Sequence, residues 1–364
     1  MKPKETKETL VRNDNRMENN LNGKRILVES GGGVGDLLMF TPALRSLKEK
    51  FPGCMITFLT IDKTVDVINR LPYIDRVICI KRGRFMGRYR VLPDLIKQDY
   101  LIFTEWQPHL LFCAWILRCS HRFSVGRDGK FLTGTLHKRI RHVVSSSINF
   151  AAQTNAELLS DMLDVKLNGD MTKCDVSMPT ESERTEVTRL LNKIGIKTGD
   201  DFILLSPFAS SKERNWPLKE VEKLVELINK NYNIPVIFIG NTDSPFIEKK
   251  FQYSLLRKTN IIQLIEVIRR AKCLITPDSG PMHIAGALNV PCISLFSKDI
   301  PSRWAPKHNC WPIYLSYPCS PCTPEKFRDC PYDLKCMKDI TANMVFKVLS
   351  NILLMDLQSK CNSS

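Results

Sequence analysis

The sequence has no long hydrophobic run. Its longest apolar stretch, residues 110–117, is eight residues long, whereas a helix that crosses a bilayer needs about 20. Residues 1–22 are polar and charged and carry no apolar segment between their lysines, which is not the pattern of a secretory signal peptide. We therefore expect a cytoplasmic protein in which residues 1–22 form a disordered tail.

The sequence also has no disulfide framework and comparatively few acidic residues. Its 13 cysteines are odd in number and scattered, which favours reduced thiols. Against 53 Lys and Arg there are only 38 Asp and Glu, a net charge of +15. Such an excess fits anionic partners, which include nucleotide phosphates, a phosphorylated glycolipid, a membrane surface or nucleic acid. A basic solvated surface without a dedicated partner fits it equally.

Strand-like and helix-like segments alternate along both halves of the chain. A length of 364 residues favours two domains, and the alternation predicts a doubly wound α/β unit in each, with a parallel sheet wrapped by helices. We place the first domain at residues 23–165, a linker at 166–185 and the second domain at 186–340. Residues 341–364 form a C-terminal helix and tail. Two such units facing each other make a cleft, and ligands bind beyond the carboxyl ends of the strands.

A glycine-rich turn separates the first predicted strand from a helix predicted over residues 37–50. It reads Ser-Gly-Gly-Gly-Val-Gly-Asp at residues 30–36, and such a turn exposes backbone N–H groups to an anion or a sugar. Asp36 could take a proton from a hydroxyl group, or it could cap the helix. A nicotinamide dehydrogenase, suggested by Gly31, Gly33 and the later Asp62, is disfavoured because Asp36 stands where the third glycine belongs.

Two later loops also follow predicted strands. In residues 276–283, Ser279 and Gly280 can offer backbone N–H groups to a diphosphate, and Asp278 suits ribose or sugar hydroxyls. His283 falls one turn into the next helix, where it could contact a ligand or belong to the core.

The other loop, residues 206–217, carries hydroxyl groups and cations together. Ser210, Ser211, Lys212 and Arg214 are the side chains that fit phosphate binding. Lys212 fits a solvated loop as well.

Four cysteines near the C-terminus are spaced as a candidate metal site. Cys319, Cys322, Cys330 and Cys336 could bind zinc or iron tetrahedrally, or they could be reduced thiols in a proline-containing loop. Basic clusters at residues 81–90 and 137–142 could receive an anionic acceptor or touch an anionic membrane. Both clusters are also typical of a solvated face.

Taken in order, four of these motifs resemble glycosyltransferase family 9, the ADP-heptose:lipopolysaccharide heptosyltransferases. They are Gly35-Asp36 with the following Thr41-Pro42-Ala43-Leu44, the loop with Arg214, Trp216 and Pro217, the run from Asp278 to His283, and the cysteine-proline tail ending in Cys336-Met337. The resemblance implies a GT-B architecture, two Rossmann-like domains with the acceptor bound by the first and the nucleotide sugar by the second. It also implies an inverting transfer that needs no metal.

The resemblance further implies roles for individual residues. Asp36 would be the general base that deprotonates the acceptor hydroxyl. The residues implied in substrate binding are Gly35, Ser210, Ser211, Lys212, Arg214, Asp278, Ser279, Gly280, Pro281 and His283. The family usually has lysine where this chain has Arg214, and a related branch holds iron with four cysteines at longer spacings than those here.

The implied partners are an ADP-heptose donor and an anionic glycolipid or glycan acceptor, with peripheral contact to the inner face of the membrane and no nucleic acid. Another GT-B enzyme, such as a nucleotide-sugar 2-epimerase, is the alternative, although the sequence singles out no set of several acid and base groups. A non-catalytic nucleic-acid binder would use the cysteines and the positive charge, but two full α/β domains serve it no evident purpose.

Overall fold

The computed structural model describes residues 19–30, 32–62, 64–80, 91–103, 121–125, 140–143, 149–322 and 330–362. The apolar stretch at residues 110–117, the basic cluster at 81–90 and residues 137–139 of the second cluster lie outside these ranges.

The N-terminal domain is built on a parallel sheet. Its strands are β1 (Arg25–Glu29), β2 (Met55–Ile61), β3 (Arg76–Ile80), β4 (Tyr100–Phe103), β5 (His121–Val125) and β6 (Ile140–Val143), in the order β3-β2-β1-β4-β5-β6. Every neighbouring pair is parallel. Ile26, Leu27 and Val28 of β1 are fully buried, as expected for a strand covered on both faces. The strand order reverses between β1 and β4, so ligands are expected beyond that point.

Helices cover this sheet and lead out of the glycine turn. They are α1 (Val34–Leu38), α2 (Thr41–Lys50), α3 (Leu92–Ile96) and α4 (Ala151–Leu163), with a 3-10 turn at Val65–Val67. The prediction of one continuous helix over residues 37–50 was wrong. The chain breaks at Met39 and Phe40, because Pro42 lacks an N–H group and fits only the first turn of a helix, here that of α2.

Residues 19–22, which the sequence analysis assigned to the tail, pack on the N-terminal domain. Leu21 is fully buried, and the Asn19 side chain donates to the Leu163 carbonyl oxygen at 2.9 Å. The apolar side chain of Leu21 explains the difference, since leaving it in water would forgo its burial energy.

Residues 164–180 connect the two domains and are held by side chains of the first. Arg45 donates to the Asp175 carboxylate and to the carbonyl oxygens of Asp170 and Lys173, and the Tyr73 hydroxyl donates to Asp175 at 2.8 Å. Helix α5 (Glu181–Lys193) then begins inside the predicted linker. Hydrogen bonds to the first domain therefore hold the middle of this connecting segment in place.

The C-terminal domain has a second parallel sheet, ordered β11-β10-β9-β7-β8. Its strands are β7 (Ile203–Leu205), β8 (Val236–Phe238), β9 (Cys273–Pro277), β10 (Cys292–Phe296) and β11 (Cys310–Tyr314). Its helices after α5 are α6 (Leu218–Asn231), α7 (Pro245–Lys250), α8 (Ile261–Arg270), α9 (Gly280–Ala287), α10 (Pro301–Trp304), α11 (Lys335–Lys338) and α12 (Ala342–Asn362), with a 3-10 turn at Lys212–Arg214. Here the strand order reverses between β7 and β9.

One hydrophobic cluster runs through both domains. It contains Leu38 and Phe40 of the first domain together with Met282, Ile284 and Ala285 of α9. A second cluster joins α6 and α12 to the C-terminal sheet. Among the described residues, no helix is sufficiently long and apolar to span a bilayer.

An ion pair at the start of α5 allows a stability prediction. Arg70 donates two hydrogen bonds to Glu183, at 2.6 and 2.8 Å, and the Thr180 N–H donates to the same carboxylate at 2.7 Å. These hydrogen bonds, the one from Arg70 foremost, lower the pKa of Glu183 to about 2. We expect Glu183→Gln to reduce the free energy of unfolding by about 1 kcal/mol at neutral pH, since the pair is largely at the surface.

The pH dependence of that loss follows from the direction of the shift. A carboxyl group with a lowered pKa in the folded state stabilises the fold above its unfolded pKa, and this contribution is lost as the pH falls from 4.5 towards 2. Urea unfolding of both proteins should therefore give a difference that shrinks below pH 4.5. Glu181→Gln is the matched control, because that side chain is 86% exposed. A difference independent of pH would contradict the assignment.

Candidate active site between the two domains

The glycine turn after β1 presents Asp36 on the third residue of α1. Its carboxylate accepts a hydrogen bond from the Gly33 N–H at 2.8 Å, so it closes the start of the helix. The side chain is half-buried. The two interpretations of Asp36 are thus compatible, because one carboxylate oxygen accepts the hydrogen bond of the turn while the side chain is only half-buried.

The loop after β7 is organised around Arg214. Its guanidinium donates to the Asp278 carbonyl oxygen at 2.9 Å, to the Asp278 carboxylate at 3.2 Å and to the Ser210 hydroxyl at 2.9 Å. Its Nε atom is buried and has no hydrogen-bond partner among the described residues. Arg214 thereby bridges the loops after β7 and β9, across the point where the strand order reverses.

The other residues of this loop have different surroundings. The Ser211 hydroxyl donates to the Glu213 carboxylate, and Lys212 is exposed. Trp216 is buried and donates from its indole nitrogen to the Ile340 carbonyl oxygen at 2.9 Å, which fixes the end of the loop against the start of α12.

The loop after β9 brings Asp278 to the same edge. Its N–H donates to the Leu295 carbonyl oxygen at 3.0 Å. The side chain is buried, and burial raises the pKa of Asp278 although the charge of Arg214 opposes this. The next residues, Ser279 and Gly280, begin α9, with Pro281 in its first turn. The N-terminus of α9 therefore opens beside the Arg214–Asp278 pair.

Helices α1 and α9 meet at their first turns. A Cβ atom placed on Gly280 would lie 3.2 Å from the Val34 Cβ, so glycine permits this approach. The Asp36 charge raises the pKa of Asp278, after the larger effect of burial, and also acts on His283. Asp36 thus lies within electrostatic reach of the C-terminal site.

His283 lies under the turn that carries Asp36. The residue is 6% exposed, and its ring meets Trp304 edge-on with centroids 6.4 Å apart. Burial lowers the pKa of His283 to about 4, which keeps the imidazole neutral at pH 7. Of the two sequence interpretations, this environment matches the buried core histidine.

The sequence analysis missed Lys298 and Asp299. They follow β10 and lie close to the Asp278 loop. Burial, and after it the charge of Asp278, raises the pKa of Asp299. The charge of Lys298 acts on Asp278 in the opposite direction and lowers its pKa. The sequence carries a signal for them, because the largely apolar run at residues 292–296 is typical of a buried strand, and side chains just beyond a parallel strand lie at the edge where ligands bind.

The four cysteines of the predicted metal site lie close to one another and to this edge. Burial raises the pKa of the Cys336 thiol to about 11, and the nearby thiols of Cys322, Cys319 and Cys330 contribute to this rise. The Cys322 N–H donates to the Lys298 carbonyl oxygen at 3.0 Å. Within the described ranges, however, no three His, Cys, Asp or Glu side chains are grouped as metal ligands.

The architecture and the site together define a class. Two parallel-sheet domains meet at the carboxyl ends of their strands, with an acidic side chain on one and a cation beside a helix N-terminus on the other. This is the arrangement of a GT-B glycosyltransferase.

Comparison with known proteins agrees with that class. The crystal structure of a family 9 glycosyltransferase from Veillonella parvula superposes with a TM-score of 0.73 at 19% identity, covering 93% of this chain and 99% of that one. The Escherichia coli ADP-heptose LPS heptosyltransferase II gives a TM-score of 0.70 at 20% identity, covering 91% and 99%. The lipopolysaccharide core heptosyltransferase OpsX of Haemophilus influenzae is 22% identical over 299 residues, which are 76% of this chain and 80% of OpsX.

The sequence model of glycosyltransferase family 9 (heptosyltransferase) matches residues 89–333. The chain belongs to glycosyltransferase family 9, and its fold is of the GT-B type. The family and fold predicted from the sequence are confirmed, and with them the expectation of a glycosyltransferase.

Proposed function

We propose that this enzyme transfers a heptose from ADP-heptose to a hydroxyl group of a lipopolysaccharide-core or related acceptor, with inversion at the anomeric carbon. One observation carries the proposal: Asp36 lies in the short helix α1, whose first turn packs on that of α9, and its charge acts on Asp278, the partner of Arg214. The relatives named for heptose transfer support the sugar and the acceptor class.

The chemistry divides between the domains. As the bond to the departing diphosphate breaks, negative charge develops on that group, and Arg214 with the α9 N-terminus can stabilise it. Ser279 and Gly280 supply backbone N–H groups there, and the Asp278 carboxylate can accept hydrogen bonds from sugar hydroxyls. We assign the nucleotide sugar to the C-terminal domain for this reason.

The acceptor belongs to the N-terminal domain in this scheme. Asp36 accepts the proton of the acceptor hydroxyl while the hydroxyl oxygen attacks the anomeric carbon from the face opposite the diphosphate. The +15 net charge favours an anionic acceptor. We further propose that the enzyme works in the cytoplasm at the inner face of the membrane and does not act on nucleic acid.

The transfer is proposed to need no metal, since Arg214 and α9 offer positive potential to the diphosphate. The thiols of Cys319, Cys322, Cys330 and Cys336 lie beyond the backbone of Lys298, and a zinc or iron ion there would have a structural role only. No catalytic step is assigned to it.

The test is release of nucleoside diphosphate from a panel of nucleotide sugars, with and without lipopolysaccharide-core acceptors. We expect ADP release from ADP-heptose to depend on the acceptor and to survive EDTA. Conversion of a nucleotide sugar without any acceptor would instead identify an epimerase. Loss of turnover in EDTA, restored by one metal ion, would overturn the metal-independent mechanism.

A further inference from the structure

The contact between Gly35 and His283 joins the base to the opposite domain. A Cβ atom placed on Gly35 would lie 2.4 Å from His283 Cδ2 and 2.6 Å from Nε2. Real Cβ atoms do not approach other atoms this closely, so the imidazole rests directly on the backbone of the residue before Asp36. Gly35 therefore matters because it lets a ring from the second domain reach the catalytic turn.

Packing holds the His283 ring in place. Its Nδ1 atom is buried and has no hydrogen-bond partner in the part of the chain that the structure describes, so burial and the edge contact with Trp304 fix the position of the ring. Trp304 is in turn covered by the Arg303 guanidinium, 5.3 Å from the ring centroid. A row of packed side chains thus runs from α10 to the turn that carries Asp36.

We propose that His283 is a positioning residue for Asp36: the imidazole from the C-terminal domain sets the height of the Gly35–Asp36 turn and so fixes the base relative to the donor. The inference rests on the proposed function and deepens it. It gives His283 a role through Asp36, in place of the direct substrate contact implied by the family resemblance.

The test is a double-mutant cycle of Gly35→Ala and His283→Ala, with kcat and the donor KM measured for each. Gly35→Ala should lower kcat about 100-fold, the cost of misplacing a catalytic group by about 1 Å, while the donor KM changes little. His283→Ala should also lower kcat. The double variant should be faster than Gly35→Ala alone, because removal of the ring makes room for the added methyl group.

Gly53→Ala is the control, a glycine of the same domain that lies outside the turn. Its φ is not in the left-handed region, and the atoms nearest to a Cβ placed there belong to the exposed Asn22 side chain, with Oδ1 at 3.0 Å, which can shift. Its kcat should stay near that of the unmodified enzyme. A double variant slowed by the product of the two single effects would overturn the inference. So would His283→Ala raising the donor KM at constant kcat, which would make the ring a substrate contact.

Thermal unfolding separates this inference from the proposed function. If no nucleotide sugar supports transfer, the proposed function fails on its own. The contact is then judged by the unfolding midpoints, where Gly35→Ala should be less stable than the double variant. Additive changes in midpoint would overturn the contact and the inference with it.

Discussion

Asp36→Asn is expected to slow glycosyl transfer about 10²- to 10⁴-fold, the contribution typical of a general base. The amide cannot accept the hydroxyl proton at neutral pH, so the acceptor oxygen would have to attack while still protonated. Donor binding should be unchanged, because the diphosphate is assigned to Arg214 and α9. Turnover is measured as ADP release, and donor affinity by calorimetry.

The substitution separates chemistry from folding. In the unmodified protein the Gly33 N–H donates to the Asp36 carboxylate at 2.8 Å. Asparagine retains a side-chain oxygen that can accept this hydrogen bond, so the start of α1 is preserved. Asp94→Asn is the matched control, since Asp94 occupies the first turn of another short helix in the same domain. Turnover close to that of the unmodified enzyme in Asp36→Asn would end the role of Asp36 as base.

Arg214→Ala is expected to lower kcat/KM about 10³-fold, because it removes the positive group beside the leaving diphosphate. It also leaves the buried Asp278 carboxylate without its partner, and breaking such a pair costs about 3 kcal/mol in stability. Arg214→Lys should retain part of the activity, since lysine keeps the charge but cannot reach the Ser210 hydroxyl and both Asp278 oxygens at once.

The stability loss in Arg214→Ala should depend on pH in a definite direction. Burial already raises the pKa of Asp278, and loss of the Arg214 charge raises it further. A carboxyl group with a raised folded pKa stabilises the fold when protonated, and that contribution is lost as the pH rises through the folded pKa. Thermal unfolding should therefore separate the variant from the unmodified protein more at pH 8 than at pH 5.

Lys212→Ala supplies the control from the same turn. The Lys212 side chain is exposed, and its removal should leave kcat/KM within about threefold of the unmodified enzyme, as surface substitutions usually do. Equal losses in Lys212→Ala and Arg214→Ala would show a general electrostatic effect of the loop, contrary to a specific role for Arg214.

The sequence predicted which loops form the site because each follows a strand and opens a helix. That pattern placed Asp36, Arg214 and Asp278 at strand ends, where parallel sheets bind ligands. It could not give the three hydrogen bonds of Arg214, which depend on β7 and β9 being neighbours although β8 lies between them in the chain. Nor could it show that His283 rests on Gly35, because the relative placement of two domains leaves no periodicity in the sequence.

Local packing explains the remaining differences. Pro42 divides the helix predicted over residues 37–50, although the apolar spacing alone fits a single helix. Leu21 is drawn into the core from a segment whose average composition is polar. In both cases a single side chain decides the local structure against the prediction from the surrounding sequence.

The hydrophobic cluster shared by both halves affects how such enzymes can be recombined. Leu38 and Phe40 on one side belong to the same apolar cluster as Met282 and Ile284 on the other, so part of the apolar interior is shared between the two halves. A chimaera that takes its N-terminal half from another relative would need residues on both sides of this interface that pack together. An exchange of specificity would therefore require the residues of the domain interface to be exchanged as well.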